Sequence, residues 1–157
     1  MRPVALADLP DLQRLKADPT VFAVMLGGVR SRVRAAEELA EDIVFWGARG
    51  VGMWAVRAIA DGAFLGTTGL HLRPDGRGVA LRVAFATGVH GRGYASEAAG
   101  AALRFAHERA GIARVVAATR ETNIASRMVL GAIGMVPCEA YIRDGVRVLV
   151  YESRREA

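Results

Sequence analysis

The sequence predicts a mixed α/β fold, in which helices cover the faces of a sheet built from antiparallel and parallel strands. Three observations carry this. Segments of helical apolar period alternate with short runs rich in β-branched residues. Three such runs follow one another between residues 53 and 86, separated only by turn residues. A helix with a nearly all-alanine inner stripe then stands between two further strand-like runs, which is the pattern of a right-handed crossover.

The opening residues read as helices. Leu9, Leu12 and Leu15 recur every third position until Pro19, and Val21 to Leu26 adds a turn or two before Gly27-Gly28. Ser31 is placed as the N-cap of a longer helix with an apolar stripe of Ala36, Leu39, Ala40, Ile43 and Trp46. Glu37, Glu38, Glu41 and Asp42 are expected on its opposite, solvated face, and Gly50 stops it.

The period then changes. Met53 to Ile59 and Phe64 to Leu72 read as a hairpin around Asp61-Gly62, and Val79 to Ala86 follows the turn Pro74-Asp75-Gly76-Arg77-Gly78. A helix over residues 94–110 places Ala95, Ala98, Ala99, Ala102, Leu103, Ala106 and Ala110 on one face, which lets it lie close to a sheet. Gly111 ends it. Arg114 to Thr119 is a buried strand and Asn123 to Ile133 a helix. Met135 to Ile142 and Val146 to Glu152 flank Asp144-Gly145, a strong hairpin signal.

Composition bounds the function. A chain of 157 residues with 52% hydrophobic and 24% charged residues allows one domain, taken here as 1–157. No run of 18 apolar residues exists, and the first eight residues meet charge and proline too early for a secretory signal, so a cytoplasmic protein is expected. Cys138 is alone, which excludes an internal disulfide, and three scattered histidines do not build a zinc site, so no metal is expected. Lys16 is the only lysine. Arginine therefore carries nearly all of the positive charge behind a net +5, which attracts polyanions in general or reflects genomic base composition.

The chemistry points to the loop from Thr87 to Ala95. Three glycines in six residues, Gly88, Gly91 and Gly93, free the backbone and its N–H groups, and the helix that follows aims its positive end at the same place. With Arg92 this makes an anion nest for a phosphate or diphosphate; a tight turn that binds nothing is the alternative. No P-loop is present. The dinucleotide pattern fails at Ser96, and the loop follows antiparallel strands rather than opening a βαβ unit.

His90-x-x-Gly93-x-Ala95 resembles the Q/R-x-x-G-x-G/A signature of the Gcn5-related N-acetyltransferase (GNAT) family. Gly91-Arg92-Gly93-Tyr94-Ala95-Ser96-Glu97-Ala98 is similar to a run in its ribosomal-protein N-terminal (RimJ/RimL-like) subgroup. Asn123-x-x-Ser126 and Ile133-Gly134-Met135 follow at the spacing of a second motif. The resemblance is strong over about residues 80–136; the first 50 match in helical character only. It implies a mostly antiparallel sheet, splayed between the fourth and fifth strands. It also implies acetyl-CoA as co-substrate, an amine acceptor (a protein N-terminus or a small molecule), and a homodimer as an option.

By the same resemblance, Val83, Phe85 and Ala86 lie along the pantetheine arm, while His90, Gly91, Arg92, Gly93, Tyr94 and Ala95 surround the diphosphate. Asn123 touches the arm from the other side, and Ser126 stabilises the departing thiolate with Tyr141 as back-up proton donor. The sequence departs from the family in three places: His90 opens the loop, Ala80 stands where a strand glutamate is common, and Leu130 stands where one branch has tyrosine. Among possible bases, Glu97 reads as a partner of the helix dipole, Glu121 and His71 as weak candidates. Cys138, Trp46 and Trp54 read as core, with Trp54 a candidate wall of the acceptor pocket. Two rival readings are a non-catalytic CoA-binding protein and a basic nucleic-acid binder, the latter without clustered arginines or interleaved aromatics.

Overall fold

The computed structural model describes residues 1–157. Seven strands form one sheet: β1 (Arg2–Pro3), β2 (Met53–Arg57), β3 (Phe64–Leu72), β4 (Val79–Phe85), β5 (Arg114–Arg120), β6 (Val136–Arg143) and β7 (Val146–Arg154). Their spatial order is β1-β2-β3-β4-β5-β7-β6, and only β4 and β5 run parallel. β1 is a short edge strand whose two residues carry no period to mark it in the sequence; with it counted, the splay lies between the fourth and fifth strands.

The splay follows from register. β3 and β4 stay paired from Leu72↔Val79 to Gly66↔Phe85, whereas β4 and β5 pair only at Val79↔Val115 and Ala80↔Val116. Beyond Ala80 the two strands part. β5 remains bonded to β7 as far as Arg120↔Val148, so the sheet opens as a wedge.

Helices α1 (Leu9–Ala17), α2 (Pro19–Phe22) and α3 (Arg32–Arg49) cover one face, and α4 (Tyr94–Arg104) and α5 (Ile124–Ala132) the other. Ser31 caps α3 by accepting from the Arg34 N–H at 3.1 Å, and Gly50 ends it in the left-handed region at φ 64°. Leu39 of α3 packs with Leu12, Met53 and Ala55. The indole Nε1 of Trp46 donates to the Met53 carbonyl at 2.6 Å.

On the opposite face Ala99, Ala102 and Ala106 are fully buried against Trp54, Leu70 and Leu81. The alanine helix does not run unbroken to Ala110. Residues Phe105–Arg109 form one π turn, in which the His107 ring bonds the Ile112 carbonyl at 2.7 Å and the Ser153 hydroxyl at 2.9 Å. No helix is long and apolar enough to cross a membrane.

Candidate active site

The glycine loop leaves β4 through one short turn over Thr87–Val89 and enters α4 with Gly91 and Gly93 both at φ 79°. At these angles an L side chain costs about 1–2 kcal/mol, so glycine is the residue that makes the turn. The imidazole Nε2 of His90 donates to the Phe85 carbonyl at 2.9 Å and ties the loop to the strand end. The Glu97 N–H donates to the Gly93 carbonyl at 3.0 Å and starts the helix ladder. Backbone N–H groups of residues 91–96 have no acceptor within the protein. They gather at a helix N-terminus beside exposed Arg92, an arrangement that fits a diphosphate.

A cavity of about 760 Å³ fills the wedge. Val83 and Ala84 line it from β4, Ala118 from β5, Asn123 and Ser126 from the start of α5, and Tyr141 from β6. Phe85 does not line it; its ring packs with Val56, Leu65 and Ala98 beneath the loop, and Ala86 sits half-buried beside α2. Asn123 is buried and caps α5, its Oδ1 accepting from the Ser126 N–H at 3.2 Å, while its Nδ2 faces the Met25 sulfur at 3.8 Å. The Ser126 hydroxyl bonds no protein group and faces the cavity. Tyr141, half-buried, leans on Ala80, Val116 and Val150.

The floor of the cavity toward α3 holds side chains that the sequence assigned to solvent. Glu38 and Asp42 are 5% and 9% exposed. The expected solvated face of α3 therefore belongs only to Glu37 and Glu41. Helical spacing places Glu38 and Asp42 on one line, and α1 packs across α3 so that this line faces the wedge. Glu38 is fully partnered: Lys16 Nζ donates to it at 2.6 Å and Arg30 Nε at 2.8 Å. Burial opposes its ionisation, but Lys16 and Arg30 outweigh that and hold its carboxyl below the ordinary value.

Asp42, one turn along, makes no hydrogen bond and no ion pair. Burial pushes its pKa up to about 6, against the more distant pull of Lys16 and Arg82. Arg82 of β4 also has no partner; it is exposed to the open volume of the cavity, and protein around that volume pulls its guanidinium down from its ordinary value. His71 of β3 lines the same floor, with Nδ1 donating to the Ala80 carbonyl at 3.1 Å. Burial, then Arg82 and Arg73, lower its pKa to about 3, so it is neutral and a feeble base near pH 7.

Other candidates fall elsewhere. Glu97 is exposed in the first turn of α4, and Glu121 pairs with Arg147 at 2.7 Å outside the cavity. Cys138 is exposed on the outer strand β6 rather than packed, because that strand carries no helix over its outer end. Trp54 lies in the core beneath α4, edge-on to Phe105 at 5.2 Å, and does not wall the cavity.

Residues 1–136 match the family model for an acetyltransferase (GNAT) domain. An acetyltransferase from Agrobacterium tumefaciens superposes at TM-score 0.86 with 27% identity, covering 98% of this chain and 89% of its own. A ribosomal L7/L12 α-N-protein acetyltransferase in complex with coenzyme A superposes at 0.78 with 18% identity, over 98% and 92%. A Vibrio cholerae spermidine N-acetyltransferase superposes at 0.76 with 14% identity, over 98% and 92%. At such identities the last two report the fold. With most of its length matched by the family model and its sheet parted at the strand that feeds the glycine loop, the chain belongs to the GNAT acetyltransferases.

Proposed function

We propose that the protein moves the acetyl group of acetyl-CoA to a primary amine by direct attack, with donor and acceptor bound together. The observation that carries this is the row of unbonded N–H groups at residues 91–96, placed where β4 leaves β5. Acetyl-CoA supplies an activated thioester, and the protein's part is to hold it, stabilise charge and manage protons.

In this reading Gly91 to Ala95 and Arg92 grip the diphosphate, and His90 braces the loop through Phe85. Val83 lies beside the pantetheine arm with Ala86 at its outer end. Phe85, with its ring in the core, contributes backbone only. Asn123 acts mainly by capping α5, which fixes the Ser126 hydroxyl at the wedge; a hydrogen bond from that hydroxyl stabilises the leaving thiolate. Tyr141 stands as a second donor. The motif likeness to the ribosomal-protein subgroup makes protein N-termini one acceptor class and small amines the other. Near pH 7 about a tenth of an α-amine is already neutral, so such an acceptor needs little help from a base.

Amine-dependent release of free CoA thiol tests the reaction, and heat stabilisation by CoA tests the donor site. Gly93→Val is expected to raise the donor KM at least tenfold. A Cβ there meets nothing within 4 Å, so the loss comes from backbone strain and from a side chain crowding the N–H groups. An unchanged donor KM would remove the loop from the donor site.

A further inference from the structure

The cavity floor carries several charges, and all but two are satisfied internally. Lys16 and Arg30 are joined to Glu38, Arg34 to Glu37 and Glu41, Arg73 to Asp75 at 2.7 Å, and at the β6 rim Arg143 lies 3.8 Å from Asp144. Asp42 and Arg82 are left over. Both line the cavity, they do not contact each other, and neither bonds any other side chain. Asp42 is nine-tenths buried. Burying an unpaired carboxylate is costly, and a fold that offered it no partner would gain by replacing it. A charge kept under those conditions, facing open volume, is explained by a partner that arrives with the substrate.

We propose that the acceptor is a primary amine that also bears an anionic group, carboxylate or phosphate, a few bonds away. Asp42 receives the ammonium and its proton, and Arg82 pairs with the anion. This rests on the acetyl-transfer reading above and narrows its acceptor. The remaining lining argues the same way. After the internal pairs are formed the floor has no second uncommitted carboxylate for a further ammonium, so a polyamine would bring excess positive charge beside Arg82, Lys16 and Arg30.

The step balances. The R–NH3⁺ acceptor gives one proton to the Asp42 carboxylate, and the freed lone pair attacks the thioester carbon. The C–N bond forms, the C–S bond breaks, and the electron pair leaves on sulfur. The proton lost from nitrogen as the amide forms ends on the thiolate, and the proton on Asp42 passes to water. The charged groups acting on Asp42 are Lys16 of α1, Glu38 and Glu41 of its own helix and Arg82 of β4; Arg30 of the connecting loop and His71 of β3 line the same floor. None of the uncharged or basic ones competes for the proton: His71 is a weak base, and the cations favour the ionised carboxyl that must receive it.

Thiol release is measured with matched pairs: ω-amino acids of increasing chain length, aminoalkyl phosphates, and short peptides with an acidic second residue, each against its amide or neutral counterpart, with spermidine as the polycation. The expected result is at least a tenfold higher kcat/KM for the anionic member of one pair, with chain length or peptide context showing which source fits. Arg82→Gln brings that member down to the level of its neutral counterpart, and Arg82→Lys recovers part of the preference. Asp42→Asn lowers kcat at least tenfold for the ω-amino acids and aminoalkyl phosphates, whose amines are protonated near pH 7, and less for peptide α-amines, and it removes the acid limb of the pH profile, while CoA still raises the melting temperature. If neutral counterparts or spermidine serve as well as the anionic amines, the acceptor assignment fails and acetyl transfer stands. If CoA neither stabilises the wild-type protein nor releases thiol with any amine, the acetyl-transfer reading itself fails.

Discussion

Asp42→Asn separates function from stability, and its stability effect can be worked from the structure. The carboxyl titrates near 3.8 in an open chain and at about 6 in the fold. A group whose folded pKa is raised binds its proton more tightly when folded. Folding is therefore unpenalised below pH 3.8, the penalty grows between 3.8 and about 6, and it is complete above that. The gap corresponds to about 3 kcal/mol, and with 9% exposure little solvent screening reduces it. An asparagine removes the charge and keeps the shape. Above pH 7 the variant should be more stable than the wild type by about 2–3 kcal/mol, roughly 6–10 °C in Tm for a chain of this length. Near pH 4.5 the advantage should have mostly gone. Urea unfolding of both proteins across this range measures the difference directly; the subtraction cancels carboxylates distant from Asp42, while Glu38 and Glu41, relieved of its repulsion in the variant, add to the difference in the same direction. Parallel curves, or a variant less stable at pH 7, would mean that Asp42 has an ionic partner in the folded protein, and the argument for a waiting substrate would go with it.

The other expectations are simpler. Lys16→Met should destabilise by about 3 kcal/mol in denaturant titration, because Glu38 keeps only Arg30 and the loss of a buried partner is large; a neutral result would show the pair to be dispensable. Ser126→Ala should lower kcat by roughly ten- to a hundredfold, the worth of one hydrogen bond to a charged group, with CoA binding unchanged by calorimetry. Asn123→Ala should cost about 1 kcal/mol of stability through loss of the α5 cap, and should lower kcat as Ser126 loses its fixed position.

Much of the fold is legible in the sequence where a local rule decides it. Ser31, Gly50, Asp144-Gly145 and the alanine stripe each act within one or two turns of chain, and the structure places helix and hairpin ends within a few residues of those marks. The π turn at Phe105–Arg109 was not legible: the His107 ring within it bonds the Ser153 hydroxyl of β7, a distant partner that no local rule anticipates. Nor was β1, whose two residues exist as a strand only because β2 offers an edge to Arg2 and Pro3.

The candidate site divides in the same way. The donor side is a local structure, glycines followed by a helix, and its residues lie together in the sequence. The acceptor side is assembled from α1, α3, β3 and β4, and the helical period misled there for a physical reason. Acidic residues opposite an apolar stripe read as solvated because solvent is the usual partner for charge. In this chain the only lysine is folded inward, and with Arg30 it forms a second, charged core that buries Glu38 as securely as leucine buries the other face. That arrangement was foreshadowed by one feature alone, a single lysine among many arginines in a helix otherwise read as amphipathic. Asp42 then follows by helical geometry: four residues after Glu38 it must face the same interior, but Lys16 and Arg30 are already bonded. The internal neutralisation of one acid is what leaves the next one free for a substrate.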